Sequence, residues 1–308
     1  MSLRTIEEHL GGILATLRPT EVSEVSLGDA LGRTLAAPAT ARVDLPGFTN
    51  SAMDGYAVRA ADCRGASSGT PVELLVAGDI AAGETRPITL EAGTTWRIMT
   101  GAPLPEGADA IVPVELSDGG TTTARLFLAP EVCRHVRPLG EDVRVGAEIL
   151  PAGVVLNPGR LALLAAANAA RVSVHRAPVV AVISTGDELR DPGSDLGHGE
   201  IVDSNSLMLT MLVQAAGATP LRLPRAKDNA ESLRMRLAEA AAAADLVLTT
   251  GGVSMGAYDT VKEVLTEAGT VVFAKVAMRP GMPQGHGVVG RQECPIITLP
   301  GNEQPKIL

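Results

Sequence analysis

The chain is short of aromatic side chains, cysteine and basic residues, and each shortage narrows what it can be. Only 2% of its 308 residues are aromatic against 45% hydrophobic overall, so its cores are aliphatic. Its three cysteines, Cys63, Cys133 and Cys294, are odd in number and far apart, with no CxxC pair. They fit a reduced, cytoplasmic protein and argue against a cysteine metal site. Lys and Arg number 26 against 35 Asp and Glu, a net charge of −9. That balance argues against nucleic-acid binding, which needs a basic face, and leaves any anionic ligand to local loops. No apolar run approaches the roughly 20 residues that span a bilayer, so no membrane partner is expected. The start, MSLRTIEEHL, lacks the basic-then-apolar pattern of a signal peptide. GxGxxG is missing and no GK[ST] follows a glycine loop, so neither nucleotide fingerprint is present. His9, His135, His175, His198 and His286 show no metal-ligand spacing.

What is present divides by pattern, within the two or three domains that the length suggests. Ile6, Leu10, Ile13, Leu14 and Leu17 share one helical face, which predicts an amphipathic packing helix. Residues 27–136 are rich in Gly, Pro and Thr, with short runs such as VELLVAG, TWRIMTG and DAIVPVE, and predict an inserted, mostly β module. Pro158 opens an Ala/Leu helix as a first-turn proline. Residues 137–174 and 1–26 together predict a discontinuous linking domain that packs on itself around the inserted β module. From 175 to 308, strand and helix patterns alternate: APVVAVIS, then SNSLMLTMLVQAAG with Asp203 or Ser204 as cap and Gly217 as stop. TPLRLPRA, a helix capped by Asp228, DLVLTT, YDTVKEVLTEAG and TVVFAKVA follow. Alternation of this kind predicts a parallel sheet covered on both faces, with ligands at the carboxyl ends of its strands. The fold class is therefore multidomain α/β.

Three loops follow strands of this α/β part and fall at one sheet edge. TTGGVSMGAYD carries Thr249, Thr250, Gly251, Gly252 and Ser254 ahead of a helix. Glycines let backbone N–H groups approach an anion, and a helix start adds positive potential; a plain tight strand-to-helix turn with Asp259 as cap is the other account. STGDEL supplies Asp187 and Glu188, two acids that suit Mg2+ with phosphate oxygens or a solvated turn. The third loop, MRPGMPQGHG, follows TVVFAKVA, and Lys275 and Arg279 around that strand end suit a phosphate clamp or ordinary surface charge. Arg137, five residues before Asp142, suits a structural salt bridge.

SAMDGYAV, IMTGAPLPEGADAIVPVE, GEDV, STGDEL, SNS, TTGGVSMGAYD, RPGMPQG and LPGN occur in one order from about residue 5 to 302. The ordered set resembles the MoeA family of molybdopterin molybdenumtransferases, which includes the E domain of gephyrin. The resemblance implies a MogA-like molybdopterin-binding domain at 175–308. It implies an enzyme that inserts molybdenum from molybdate into adenylylated molybdopterin and releases AMP with Mg2+. It implies a homodimer with its site shared between subunits, supplied by an upstream molybdopterin adenylyltransferase. Carried over by motif, Asp54, Thr100, Arg137, Asp142, Glu188, Asp228, Asp259 and Lys275 would be catalytic. Thr185, Gly186, Ser204, Asn205, Gly251, Gly252, Ser254, Arg279, Pro280, Pro300 and Gly301 would bind the pterin substrate. Asp187, Glu188 and Asp259 would hold the metal.

The chain departs from the family pattern in two places. Arg279 stands where many members carry lysine, keeping charge but not geometry. After ITLPGN comes EQPKIL, with Glu303 where proline is expected, in place of the usual route into a small C-terminal β domain. The expectation is a molybdenum insertase with three of four domains; the alternative is a pterin-binding and dimerisation module without turnover.

Overall fold

The computed structural model describes residues 3–252, 260–267, 270–279 and 281–301. The chain packs as two compact units: one of 1–23, 32–34 and 173–308, the other of 24–31 and 35–172. Residues 1–23 thus group with the C-terminal α/β part, and 137–172 with the β module.

The chain begins with β1 (Leu3–Arg4) and α1 (Ile6–Leu14). Thr5 caps α1 with a reciprocal bond to Glu8, so the helix start is fixed locally. The apolar face expected to pack does not. Ile6, Leu10 and Leu14 are half exposed, while His9 is buried at 3%. The helix lies His-side down because Gly12 lets the His286 ring press against the helix backbone; a Cβ there would sit 2.6 Å from His286 Nε2.

The second unit is built on five strands: β2 (Gly55–Val58), β3 (Val72–Ile80), β4 (Thr94–Ile98), β5 (Ala110–Pro113) and β6 (Thr123–Leu126). Their order is β5-β2-β4-β3-β6. Strand alternation splits the core in two. Tyr56 and Val58 pack with Leu74, Val112 and Leu126 on one face, and Ala57 packs with Ile80, Ile98 and Ile111 on the other. Trp96 lies under Gly78, where a Cβ would come 2.5 Å from its ring. The predicted Ala/Leu helix forms as α2 (Pro158–Ala166), with Asn157 as cap and Pro158 in its first turn.

The other unit contains β7 (Val179–Ser184), α3 (Ser204–Ala215), β8 (Thr219–Arg222), α4 (Ala230–Ala243), β9 (Leu246–Thr250), α5 (Thr260–Glu267), β10 (Val271–Val276), β11 (Pro283–Val289) and β12 (Cys294–Leu299). The sheet order is β1-β10-β11-β12-β9-β7-β8. Val180 and Val182 face α3 through Leu209 and Val213. Ala181 and Ile183 face α4 and α5 through Leu233, Leu237, Val264 and Leu265. The expected two-sided cover of the sheet is present.

Two local expectations need correction. PQGHG was expected as loop, yet β11 runs through it antiparallel to β10 and β12. Gly287 permits the close pairing, since a Cβ there would lie 2.0 Å from Thr270 O. The cap of α4 is Asn229, whose side chain accepts from Ser232 N–H; Asp228 instead sends its own N–H to Asp187. For α3 the cap is Asp203 rather than Ser204. Among the described residues no helix is long and apolar enough to cross a membrane.

Candidate functional site

The parallel strands of the α/β unit end at one edge, and the predicted loops meet there. Ser184 of β7 pairs with Thr250 of β9, and Thr250 with Leu299 of β12. Thr185 N–H then donates to Thr250 O at 3.1 Å, and Gly251 N–H to Leu299 O at 3.1 Å. Gly251 has φ +95°, and a Cβ on it would stand 2.7 Å from Thr185 O. A Cβ on Gly301 would stand 2.8 Å from Gly251 Cα. The three loops therefore approach closely through backbone, with no room for a side chain on Gly251 or Gly301. Asn205, in the first turn of α3, donates to Thr250 Oγ1 at 3.3 Å and to Gly301 O at 2.9 Å.

The acids lie beside this seam. Asp187 and Glu188 are exposed on the loop after β7, and Asp187 Oδ1 accepts the Asp228 N–H at 3.3 Å. Gly186, with φ +142°, lets the Glu188 carboxylate fold over the backbone; a Cβ there would be 2.7 Å from Glu188 Oε2. Arg190 pairs with Glu200, and Arg222 with Asp191 at 3.0 Å, which ties down the segment between Glu188 and α3. Lys275 sits at the carboxyl end of β10, on the same sheet edge but two strands from β12. Arg279 is exposed just beyond it. Gly252 has φ +70°, and Pro300 follows β12 directly. Ser254, Asp259 and Pro280 lie outside the described residues.

The β unit holds a second cluster around the opening of β2. Asp54 Oδ1 accepts from Thr100 N–H at 2.6 Å and Thr100 Oγ1 at 2.7 Å. These bonds, the N–H first, hold the Asp54 carboxyl below the usual carboxylate range. The neighbouring Gly55 cannot be replaced without a clash, because a Cβ would fall 2.1 Å from Val112 O. So position 55 is glycine because two strands close on it, and the acid before it is turned out to solvent. On the other side, Arg137 pairs in register with Asn50, and Val136 with Ser51. Arg137 Nη2 donates to Asp142 at 2.5 Å, and Nε to Glu141 at 3.2 Å. Both partners, Glu141 first, raise the guanidinium's pKa. The salt bridge with Asp142 was legible from spacing; Glu141 as a second partner was not.

The sequence reading missed Asp203 as a buried carboxylate at this edge, and it missed the buried His9–His286 pair, whose rings are 5.0 Å apart. Only the position of Asp203 before SNS could have pointed to the first; nothing in the spacing of the histidines points to the second.

Family models cover the two halves of the chain. Residues 4–168 match the MoeA N-terminal region (domain I and II), and residues 181–306 match a family described as "Probable molybdopterin binding domain". The chain belongs to the MoeA family. Molybdopterin molybdenumtransferase 2 of Mycobacterium tuberculosis is 44% identical over 306 residues, covering 97% of this chain and 75% of that protein. Molybdopterin molybdenumtransferase of a Nostoc species is 39% identical over 94% of this chain and 66% of its own length. Among solved structures, a molybdopterin biosynthesis MoeA protein from Pyrococcus horikoshii superposes with a TM-score of 0.81 at 32% identity, over 97% of this chain and 75% of that one. This MoeA-family chain is thus a transferase of molybdenum-cofactor biosynthesis.

Proposed function

We propose that the chain transfers molybdenum from molybdate to adenylylated molybdopterin, with release of AMP. The observation that supports this most is the close backbone approach of Thr185, Gly251 and Gly301 at the carboxyl edge of the sheet. Backbone brought that close, with a helix start alongside, suits the phosphates of a pterin substrate. Thr185, Gly186, Ser204, Asn205, Gly251, Gly252 and Pro300–Gly301 would line it. Lys275 and Arg279, at the far strand end, would neutralise charge that develops at the phosphoanhydride.

The residues present fit Mg2+. Asp187 and Glu188 offer hard carboxylate oxygens at the edge, which this ion takes in ones or twos beside phosphate and water oxygens. Among the described residues no three His, Cys, Asp or Glu side chains converge as a metal cage, so substrate oxygens would complete the shell. When bound, the ion would supply charge neutralisation at the phosphates. Asp54, anchored by Thr100, and Arg137 would act on the molybdate side; Arg137 would have to exchange Glu141 or Asp142 for the oxyanion.

We propose a homodimer in which the Asp54 cluster of one subunit serves the α/β edge of its partner. The half-exposed stripe of Ile6, Leu10 and Leu14 and the exposed Met211 and Leu212 of α3 support an apolar contact between copies. An upstream molybdopterin adenylyltransferase would supply the substrate. The test is AMP release from adenylylated molybdopterin and Mg2+ by this 308-residue chain, with and without molybdate. Molybdate-dependent release is expected. Tight pterin binding without release would replace this reading by that of a binding and dimerisation module.

A further inference from the structure

Beneath the ligand-facing residues lies a carboxylate that the proposed reaction does not use. Asp203 is 2% exposed. Its Oδ2 accepts from Ser184 Oγ at 2.7 Å, on the last residue of β7, and from Ser206 Oγ at 2.7 Å, in the first turn of α3. Its Oδ1 accepts the Ser206 N–H at 3.0 Å. Arg222 Nη2, on the last residue of β8, stands 3.9 Å from Oδ2. One buried group therefore joins the ends of two strands to the start of a helix.

Capping alone does not explain it. The cap needs only the Ser206 N–H bond, which Asn, Ser or Thr would also accept. A buried carboxylate is costly unless hydrogen-bonded and paired. What calls for the charge is the second oxygen, which takes two hydroxyls at once beside a guanidinium. The residues next to these contacts are the ones that meet at the seam. Thr185 follows Ser184. Asn205 lies between Asp203 and Ser206, and its amide holds Thr250 and Gly301.

We propose that Asp203 is a positioning residue: by clamping Ser184 to Ser206 it fixes Thr185 and Asn205, and through Asn205 the β9 and β12 loops, in the arrangement that receives the pterin phosphates. The ligand named here rests on the function proposed above; the mechanical coupling does not.

The test uses the full chain with Asp203→Asn and, as the milder change, Ser184→Ala. Asparagine keeps the capping oxygen but puts an NH2 where two hydroxyls donate. Two measurements are made: amide hydrogen exchange by mass spectrometry, and calorimetric titration with adenylylated molybdopterin. In Asp203→Asn, exchange at Thr185 and Gly251 should speed up about tenfold or more, the scale of losing a hydrogen bond to a charged group. Affinity should weaken by a similar factor. Ser184→Ala should move both in the same direction, and the double variant should be no worse than the worse single, as expected for one coupled unit. Faster exchange confined to residues 203–207, unchanged affinity in a folded variant, or additive losses would each overturn the proposal. If the unaltered chain binds no adenylylated molybdopterin, the function reading fails, and the exchange measurement alone still decides the role of Asp203. If Asp203→Asn does not fold, Ser184→Ala carries both measurements.

Discussion

Replacing Gly251 by alanine is the sharpest perturbation of the seam. At φ +95° an L-residue is strained whatever the space around it, at roughly 1–2 kcal/mol for the left-handed region. The new methyl would also lie 2.7 Å from Thr185 O and 2.8 Å from Thr185 Oγ1, where ordinary contact begins at 3.4 Å. The first of these is a backbone atom, so relief requires the β7 end to retreat by several tenths of an ångström. Overpacking of that kind costs about 1–3 kcal/mol. Together the two effects cost about 2–5 kcal/mol. A domain of 150–250 residues loses about 2–4 °C per kcal/mol, so the α/β unit should melt about 4–20 °C earlier. Scanning calorimetry reads this directly, and titration with adenylylated molybdopterin should show weakened binding in the same protein. A variant melting within about 1 °C of the parent would show that the seam is not rigid, and the reasoning would fail.

Acid titrations test two other features. The depressed Asp54 carboxyl has a folded pKa below its unfolded one, near 3.9. Its contribution is therefore complete above that pH and fades as pH falls through the depressed value. The melting difference between the parent and Asp54→Asn should shrink in that window; a difference that stays flat through it sinks the assignment. The same variant should fold but lose molybdate-dependent AMP release, and full activity would reduce Asp54 to a turn residue. Burial, first among the causes, lowers the pKa of both His9 and His286, and Arg4 lowers each further. The unfolded chain then takes up protons that the folded one resists. Stability should fall as pH drops through about 6.5, and less steeply in His9→Leu. An equal slope in both proteins would mean that the pair is not the sensor.

Much of this arrangement could be read from residues in order. The α/β alternation was legible because β7 and β9 are largely buried and α3 and α4 carry their own caps. The glycine loops were legible as a place of close backbone approach, though only the structure shows that Thr185 and Gly301 are what Gly251 approaches. β11 was not legible, because PQGHG has the composition of a turn; its glycines instead serve a crowded antiparallel pairing. The burial of α1 was misjudged because apolar periodicity finds a face, not what covers it. Gly12 and His286, 274 residues apart, decide which side goes down. Asn229 rather than Asp228 is the cap because the helix starts at Ala230, which puts Asn229 Oδ1 within reach of the Ser232 N–H.

The scarcity of aromatic residues has an optical consequence. Trp96 is the one indole in the chain, wedged under Gly78 in the β unit. Red-edge fluorescence therefore comes from that unit alone, and it dims or shifts only when β3 and β4 part. The α/β unit is dark at those wavelengths, so indole emission follows the opening of the β unit without a contribution from the other unit.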